Sequence, residues 1–260
     1  MEKISICSKC LTPTTRPRVE FNESICNACL FAEKKNKIDW STRKKELQQI
    51  LQKYKSNKGV WDCVVPYSGG KDSATIAHKL KFDYGMNPLL VTFSPLIPNE
   101  IGKKNIDSFL NLGFDNFYFK PNRKVSRELA KRFFIERGNP KVAWDAGINV
   151  IPVLVALKFD IKLIFFAEHG ESEYGGKLIS EESTKIRDFT EVIEHQIGDD
   201  PLNWESDTIH KNELNAYIYP ELSQIKKSDL KVLYFSYFEK WSMFKNYEYI
   251  KKKFNFNIKE

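Results

Sequence analysis

The sequence predicts an α/β protein: a doubly wound, mostly parallel sheet with a small cysteine-bearing appendage at the N-terminus and a helical, aromatic-rich C-terminal segment. Three observations lead there. Apolar β-branched runs alternate with helical patterns from Trp61 onward, the signature of a parallel sheet covered by helices. The first such run ends in a glycine turn that opens directly into a helix. Four cysteines sit in two pairs before residue 30, outside the alternating region.

The strand is Asp62-Cys63-Val64-Val65-Pro66-Tyr67, short, apolar and β-branched. Ser68-Gly69-Gly70-Lys71-Asp72-Ser73 follows, and Ile76, Ala77 and Leu80 then recur at helical spacing. A strand, a glycine turn with Ser, Lys and a second Ser, and a helix make an anion cradle. Backbone N–H groups converge at the helix N-terminus, the helix dipole favours negative charge, and the lysine adds a full positive one. The glycines let the backbone approach a phosphate with no Cβ in the way. The nearest rival, Gly-x-x-x-x-Gly-Lys-Ser/Thr, does not fit: Val65 stands where its first glycine falls, and Asp72 replaces its metal-binding hydroxyl.

At 260 residues the chain suits one main domain with a small addition. No apolar run reaches membrane-spanning length, and the stretch from Met1 to Cys7 lacks the apolar core of a secretory signal, so a cytoplasmic protein without membrane association is expected. The net charge of +7 raises a nucleic-acid reading, but the basic residues are scattered. Short clusters at Lys34-Lys35, Arg43-Lys44-Lys45 and Lys251-Lys252-Lys253 read as solvated helix faces.

Cys7-x2-Cys10 and Cys26-x2-Cys29, fifteen residues apart, have the spacing of a zinc ribbon. Each pair points two thiolates at one ion, two pairs complete a tetrahedron, and no ligand position stays open for chemistry, so the Zn²⁺ is structural. A helix follows, with Leu47, Ile50, Leu51 and Tyr54 at i, i+3, i+4, i+7 and Asp39 or Ser41 as cap. The segments are therefore a zinc ribbon over 1–37, a linking helix over 38–59, an α/β domain over 60–180 and the C-terminal segment over 181–260.

Within the α/β domain, Leu89–Phe93 is a strand, Ile101–Leu112 a helix ended by Gly113, Asn116–Phe119 a strand, Val125–Glu136 a helix, Ile148–Phe159 a buried helix and Leu163–Ala167 a strand. Ligands of such sheets bind beyond the C-terminal strand ends. The stretch Glu168-His169-Gly170-Glu171-Ser172-Glu173-Tyr174-Gly175-Gly176-Lys177 follows the last of these strands; it reads either as an acidic surface loop or as carboxylates for Mg²⁺ or a nucleophilic amine. The aromatic C-terminal stretch Asp229–Phe256 reads as core, with Trp241 the first candidate for stacking on a substrate.

Ser-Gly-Gly-Lys-Asp-Ser after a strand resembles the pyrophosphate loop of the PP-loop ATP pyrophosphatases. The resemblance narrows with Ile38-Asp39-Trp40, Asn87–Phe93, Gly102-Lys103-Lys104-Asn105, Glu168, Glu173-Tyr174-Gly175-Gly176, Tyr237–Trp241 and Asn246-Tyr247-Glu248, all in order. The set is similar to the N-acetyl sugar amidotransferases of bacterial surface-polysaccharide, lipopolysaccharide and pseudaminic-type sugar biosynthesis. His169 departs from the amide-type residue usual at its place, and members usually continue past the point where this chain ends, as a truncation would leave it.

That resemblance implies adenylation of an acetamido oxygen by ATP, then displacement of AMP by ammonia to give an acetamidino group. Lys71, Asp72, Glu168 and Glu173 are the implied catalytic residues. Pro66, Ser68, Gly69, Gly70, Lys71, Asp72, Ser73, Thr92 and Phe93 would bind the nucleotide, with Mg²⁺ at Asp72. Asn105, Asp145, Tyr174, Gly175 and Trp241 would contact the sugar. With four cysteines on zinc and Cys63 inside a strand, a built-in glutaminase lacks its nucleophile, so ammonia is expected from a separate glutaminase subunit. The alternative is a PP-loop enzyme of tRNA modification. Thiolating members use further cysteines, of which this chain has none after Cys63; a lysidine-type ligase needs none, but does not match the 168–177 stretch.

Overall fold

The computed structural model describes residues 4–56, 59–177, 180, 182–193 and 197–258. The chain forms two compact units, each made of several segments. The larger comprises Leu51–Phe166, Asp188–Val232 and Ser242–Glu260; the smaller comprises Met1–Ile50, Ala167–Arg187 and Leu233–Trp241. This grouping cuts across the contiguous segments expected from the sequence.

The smaller unit starts with a two-stranded hairpin, β1 (Phe21–Asn22) and β2 (Ile25–Cys26), antiparallel and closed by Glu23 in the left-handed region. Helix α1 (Asn27–Lys34) follows at once, and α2 (Trp40–Tyr54) begins where Asp39 accepts from the N–H groups of Ser41 and Thr42 at 3.0 and 3.1 Å. Asp39 is thus the cap, and Leu47 and Leu51 are the buried residues of the expected apolar stripe.

The sheet contains β3 (Cys63–Pro66), β4 (Pro88–Phe93), β5 (Asp115–Phe119), β6 (Leu163–Phe166) and β7 (Lys231–Tyr234), in the order β5-β4-β3-β6-β7. β3 pairs in parallel with β4 (Val64 opposite Leu89) and with β6 (Val64 opposite Ile164), and β4 pairs in parallel with β5. Lys231 donates to the carbonyl of Lys162 and Ser236 to that of Ala167, so β7 runs in the direction of β6. The order reverses between β3 and β6. In open α/β sheets this switch point is where a crevice forms beyond the strand ends.

Connecting helices are α3 (Lys71–His78), continued by one π-helical turn to Asp83, α4 (Glu100–Leu110), α5 (Arg123–Arg137) and α6 (Val142–Lys158). Asn99 and Asn122 cap α4 and α5, and Gly138 ends α5 in the left-handed conformation. Helix α6 starts six residues before the expected Ile148, because Val142, Ala143 and Ala146 also face the core and Gly147 lies against the Phe93 ring. Pro152 is accommodated inside it.

The C-terminal segment is not simply helical. The short helix α7 (Gly170–Tyr174) precedes it; within it α8 (Phe189–Val192), α9 (Leu222–Lys227) and α10 (Met243–Lys251) are interspersed with 3₁₀ turns, and Lys231–Tyr234 is a strand. Its four residues are too short a run to reveal their period amid so many aromatics; pairing with β6 decides the matter.

The core of the larger unit joins the sheet residues Val64, Leu89, Val91 and Ile164 to Leu129 and Phe133 of α5, to α6, and to Trp204 and Tyr217. A Cβ at Gly147 would stand 2.3 Å from Phe93 Cζ, while Phe93 stacks on Phe119 with ring centroids 5.7 Å apart. Gly147→Ala is therefore expected to destabilise the protein by about 1–3 kcal/mol through overpacking. Urea unfolding checks this, and a stability equal to that of the native chain would refute the close packing.

Candidate functional site

Strand β3 ends at Pro66, and the Tyr67 N–H is held by the Val91 carbonyl at 2.8 Å, so the chain enters the Ser68–Ser73 loop from a fixed position. Gly69 has φ +79°, and a Cβ there would lie 2.8 Å from Ile106 Cγ1 of α4. Both the conformation and the close approach exclude other residues. Gly70 is the N-cap of α3 and offers no side-chain acceptor; the first helical bond runs from the Ala74 N–H to the Gly70 carbonyl at 3.1 Å. Helix geometry therefore leaves the N–H groups of Lys71, Asp72 and Ser73 to an external acceptor, at the positive end of the helix dipole. Ser73 Oγ donates to the Gly70 carbonyl at 3.3 Å, and Ser68 Oγ accepts from the Gly70 N–H at 3.3 Å, fixing the loop on both sides of the glycine.

Lys71 Nζ lies 2.6 Å from Asp72 Oδ2, with the pair about one-quarter exposed. The other carboxylate oxygen, Oδ1, accepts from Asn246 Nδ2 of α10 at 3.0 Å. Each oxygen of Asp72 thus already has a partner, and a Mg²⁺ held there would have to share the carboxylate with Lys71.

At the end of β4, Thr92 is buried and its hydroxyl donates to Asn116 Oδ1 at 3.1 Å. The Phe93 ring packs largely into the core, stacked on Phe119, and borders a small pocket with Ser94, Leu96 and Trp144. Asn105 of α4, expected to contact substrate, grips the C-terminal tail: Nδ2 donates to the Asn257 carbonyl at 2.9 Å and Oδ1 accepts from the Asn257 N–H at 2.8 Å. Asp145, in the first turn of α6, has its carboxyl pushed up by burial, against the pull of Lys141 at 3.6 Å.

The smaller unit holds the other candidates. Sγ atoms of Cys7, Cys10, Cys26 and Cys29 all lie within 4.8 Å of one another, with Cys7–Cys29 at 3.9 Å and Cys10–Cys26 at 3.5 Å. A tetrahedral Zn²⁺ with bonds of about 2.3 Å sets its sulfurs roughly 3.8 Å apart, so the quartet fits that ion. The backbone N–H of Cys26, 3.3 Å from the Cys7 sulfur, is the main cause holding the Cys7 thiol down to about 6, while burial pushes the Cys26 and Cys29 thiols up.

The acidic stretch is folded onto this ribbon. His169 caps the short α7, its Nδ1 accepting from the Ser172 N–H at 3.3 Å, and its buried ring meets Tyr234 edge-on. Arg18 pairs with Glu171 at 2.6 Å, Lys35 with Glu173 at 2.6 Å, and Tyr174 Oη donates to Glu168 Oε1 at 2.9 Å. Gly175, at φ +82°, brings its backbone against Asn27 and Ala28 of α1, where a Cβ would meet Ala28 Cβ at 3.1 Å. The Gly176 carbonyl accepts from Asn27 Nδ2 at 2.5 Å. The Glu-Tyr-Gly-Gly motif is thus the seat of the helix that leaves the second cysteine pair.

Two basic residues depart from the expected solvated faces. The Lys35 side chain is largely buried with that of Glu173 and also donates to the Trp241 carbonyl at 3.4 Å. Arg43 donates to the Tyr237 carbonyl at 3.0 Å and stacks on that ring at 3.9 Å, a cation–π contact. Trp241 is itself only 5% exposed, so it is packed rather than presented for stacking. Lys35, Arg18 and Asn27 carried no signal in the sequence, since a cation or amide near a short helix looks the same whether its partner lies 138 residues on or in solvent.

No family model matches the chain. An uncharacterized protein of Methanocaldococcus jannaschii is 32% identical over 109 residues, which are 41% of this chain and 38% of that protein. The chain thus spans little more than a third of that relative's length. A crystal structure from the same organism, of a predicted subunit of tRNA methyltransferase, is 28% identical over 40% of this chain and 52% of its own. Its TM-score of 0.30 is too low to carry a structural argument.

Two outcomes follow from the ribbon contacts. Chelation of a metal held by the quartet, or Cys7→Ser with Cys26→Ser, should raise amide exchange at residues 4–34 and equally at 168–177, while β3 and β4 stay protected; unchanged exchange at 168–177 would contradict the docking. Lys35→Met leaves Glu173 as an unpaired, largely buried charge and should destabilise the chain by about 3–5 kcal/mol in urea unfolding, whereas a loss below about 1 kcal/mol would place that pair in solvent.

Proposed function

We propose that this chain is an ATP-dependent N-acetyl sugar amidotransferase. The observation that carries the reading is the Ser68–Ser73 loop at the sheet's switch point, where a capless helix start leaves three N–H groups for an anion, with Lys71 beside them on Asp72. The acceptor class rests on the motifs that resemble the sugar amidotransferases, from Ile38-Asp39-Trp40 to Asn246-Tyr247-Glu248.

In this reading Ser68, Gly69, Gly70 and Ser73 hold the β and γ phosphates of ATP, and Lys71 moves from Asp72 to offset charge on the departing pyrophosphate. Pro66 and the backbone at Thr92 border the adenine. The acetamido oxygen attacks the α-phosphorus, a P–O bond to it forms, and the α–β bridge breaks to release pyrophosphate. Ammonia then adds to the imidate carbon, loses a proton, and the C–O bond breaks; AMP departs with the original oxygen and the acetamidino group remains. Asp72 would hold Mg²⁺ jointly with the phosphates, and the ion would supply neutralisation of part of their charge. Glu168 and Glu173 keep the acid–base roles implied by the resemblance, and Asp145 and Tyr174 those of sugar contacts. Asn105, Gly175 and Trp241 act as scaffold. Cys63 is buried inside β3, and desolvation pushes its thiol far up, so it is no nucleophile for releasing ammonia from glutamine. A separate glutaminase subunit supplies the nitrogen.

The second reading is a PP-loop enzyme of tRNA modification. The +7 charge favours it, and tRNA is the substrate class in the name of the M. jannaschii methyltransferase subunit, whereas neither comparison names a sugar. Against thiolation stands the same inert Cys63, after which the chain has no cysteine. A lysidine-type ligase escapes that objection.

One assay separates them. With ATP, ammonium and a diacetamido sugar, the protein should release pyrophosphate and lower the sugar's mass by the difference between O and NH. Lys71→Ala should reduce that release by more than about tenfold, roughly 1.4 kcal/mol. Pyrophosphate release that depends on tRNA and not on sugar would replace the first reading by the second.

A further inference from the structure

The geometry points to Asn246 of α10 as a positioning residue that sets Lys71 through Asp72 and so tunes the affinity of the loop for the triphosphate. The inference rests on the reading that Ser68–Ser73 binds ATP.

Asn246 is buried, 8% exposed, and its amide is aimed at the loop from behind: Nδ2 donates to Asp72 Oδ1 at 3.0 Å. The opposite oxygen, Oδ2, holds Lys71 Nζ at 2.6 Å. A carboxylate gripped at one oxygen by an amide cannot rotate about its terminal bond, so the direction of the Lys71 ammonium is set from α10. The backbone of Asn246 is held as well. Thr75 Oγ1 shares its one proton between the Lys71 carbonyl at 2.8 Å and the Asn246 carbonyl at 3.3 Å, joining α10 to the first turn of α3. One turn further on, His78 Nδ1 and Tyr249 Oη are 2.9 Å apart, and at the chain end Asn257 is gripped by Asn105 of α4. Helix α10 and its tail therefore brace both α3 and α4, whose Ile106 meets Gly69.

An amide suits this task because it is neutral. It donates to Asp72 without competing with Lys71 as a second cation, and without adding an anion beside the phosphates. Lys71 is thus parked by a carboxylate whose hold is limited, and a phosphate with more charge can draw it away.

The test uses ATP with Mg²⁺ as the probe and calorimetric Kd as the readout, so no sugar is required. Native protein should bind ATP and Lys71→Ala should weaken it; failure of either sinks the ATP reading and the inference with it. Given both, Asn246→Leu, which keeps the volume and removes the donor, should raise the Kd about tenfold, the effect of one hydrogen bond to a charged group. Asn246→Asp puts two carboxylates face to face. Their repulsion lifts the pair's apparent pKa above the usual carboxylate range, so one proton is taken up as pH falls from about 7 to 5. Once protonated, the introduced carboxyl again donates to Asp72, and the affinity deficit relative to the native protein should shrink on acidification. Charged or titratable groups in this neighbourhood include Lys71 and His78 on α3, Asp83 at the end of its π-helical turn, and Tyr249 and Lys253 from α10 and its tail; burial, with Lys253, holds the His78 pKa below its ordinary value, and native protein at each pH is the reference. A purely structural role would give a deficit independent of pH. That outcome, or an Asn246→Leu affinity within about twofold of native in a folded protein, overturns the inference while leaving the ATP reading intact. If Asn246→Leu does not fold, the Asn246→Asp profile alone decides.

Discussion

The larger unit depends on a helix that starts without a cap. Capping residues satisfy a helix's first N–H groups and so close its N-terminus to anything else. Helix α3 begins on Gly70, which has no side chain, and leaves three donors converging at the positive end of the dipole. Such a start is unstable alone, and its neighbours supply what the cap does not. Strand β3 fixes the entry, the left-handed Gly69 turns against Ile106, the two serine hydroxyls clasp Gly70, and α10 supports the far side of the first turn. The sheet order then sets this start at the reversal between β3 and β6, where strand ends diverge.

The smaller unit follows a different logic. It is held by the buried side chains of Leu47, Phe235, Phe238 and Trp241, by a cysteine quartet that fits a metal, and by the pairs that tie Arg18 and Lys35 to the acidic stretch. Gly175 lets the backbone meet Asn27 and Ala28 at the start of α1, and Gly176 leaves room for the Glu171 carboxylate while its carbonyl accepts from Asn27. A metal held by the quartet would therefore be coupled to the geometry of Glu171 and Glu173 through Arg18 and Lys35.

The strands β3 to β6, the helices between them and the cysteine quartet were legible because each is written locally, as a run, a period or a spacing. The cap at Asp39 was legible for the same reason. What failed to show was of another kind. The start of α6 was hidden by Gly147, which reads as a breaker until Phe93 is seen to need the space. Strand β7 was hidden by its length, and Lys35 and Arg43 looked like solvated charges because their partners lie far along the chain.

The chemistry of the loop is intrinsic to the sequence. Ser-Gly-Gly-Lys-Asp-Ser between a β-branched run and a helical period implies an anion site whatever surrounds it, and Cys-x-x-Cys twice implies a tetrahedral metal, because both depend on backbone geometry within a few residues. Only the tertiary structure decided how the polar side chains divide between scaffold and site. Asn105 holds the carbonyl and N–H of Asn257, Thr92 bonds Asn116, and Asn246 reaches Asp72 in the loop. A side chain's role follows from what it faces, and facing is settled by packing between segments that the linear order keeps up to 174 residues apart.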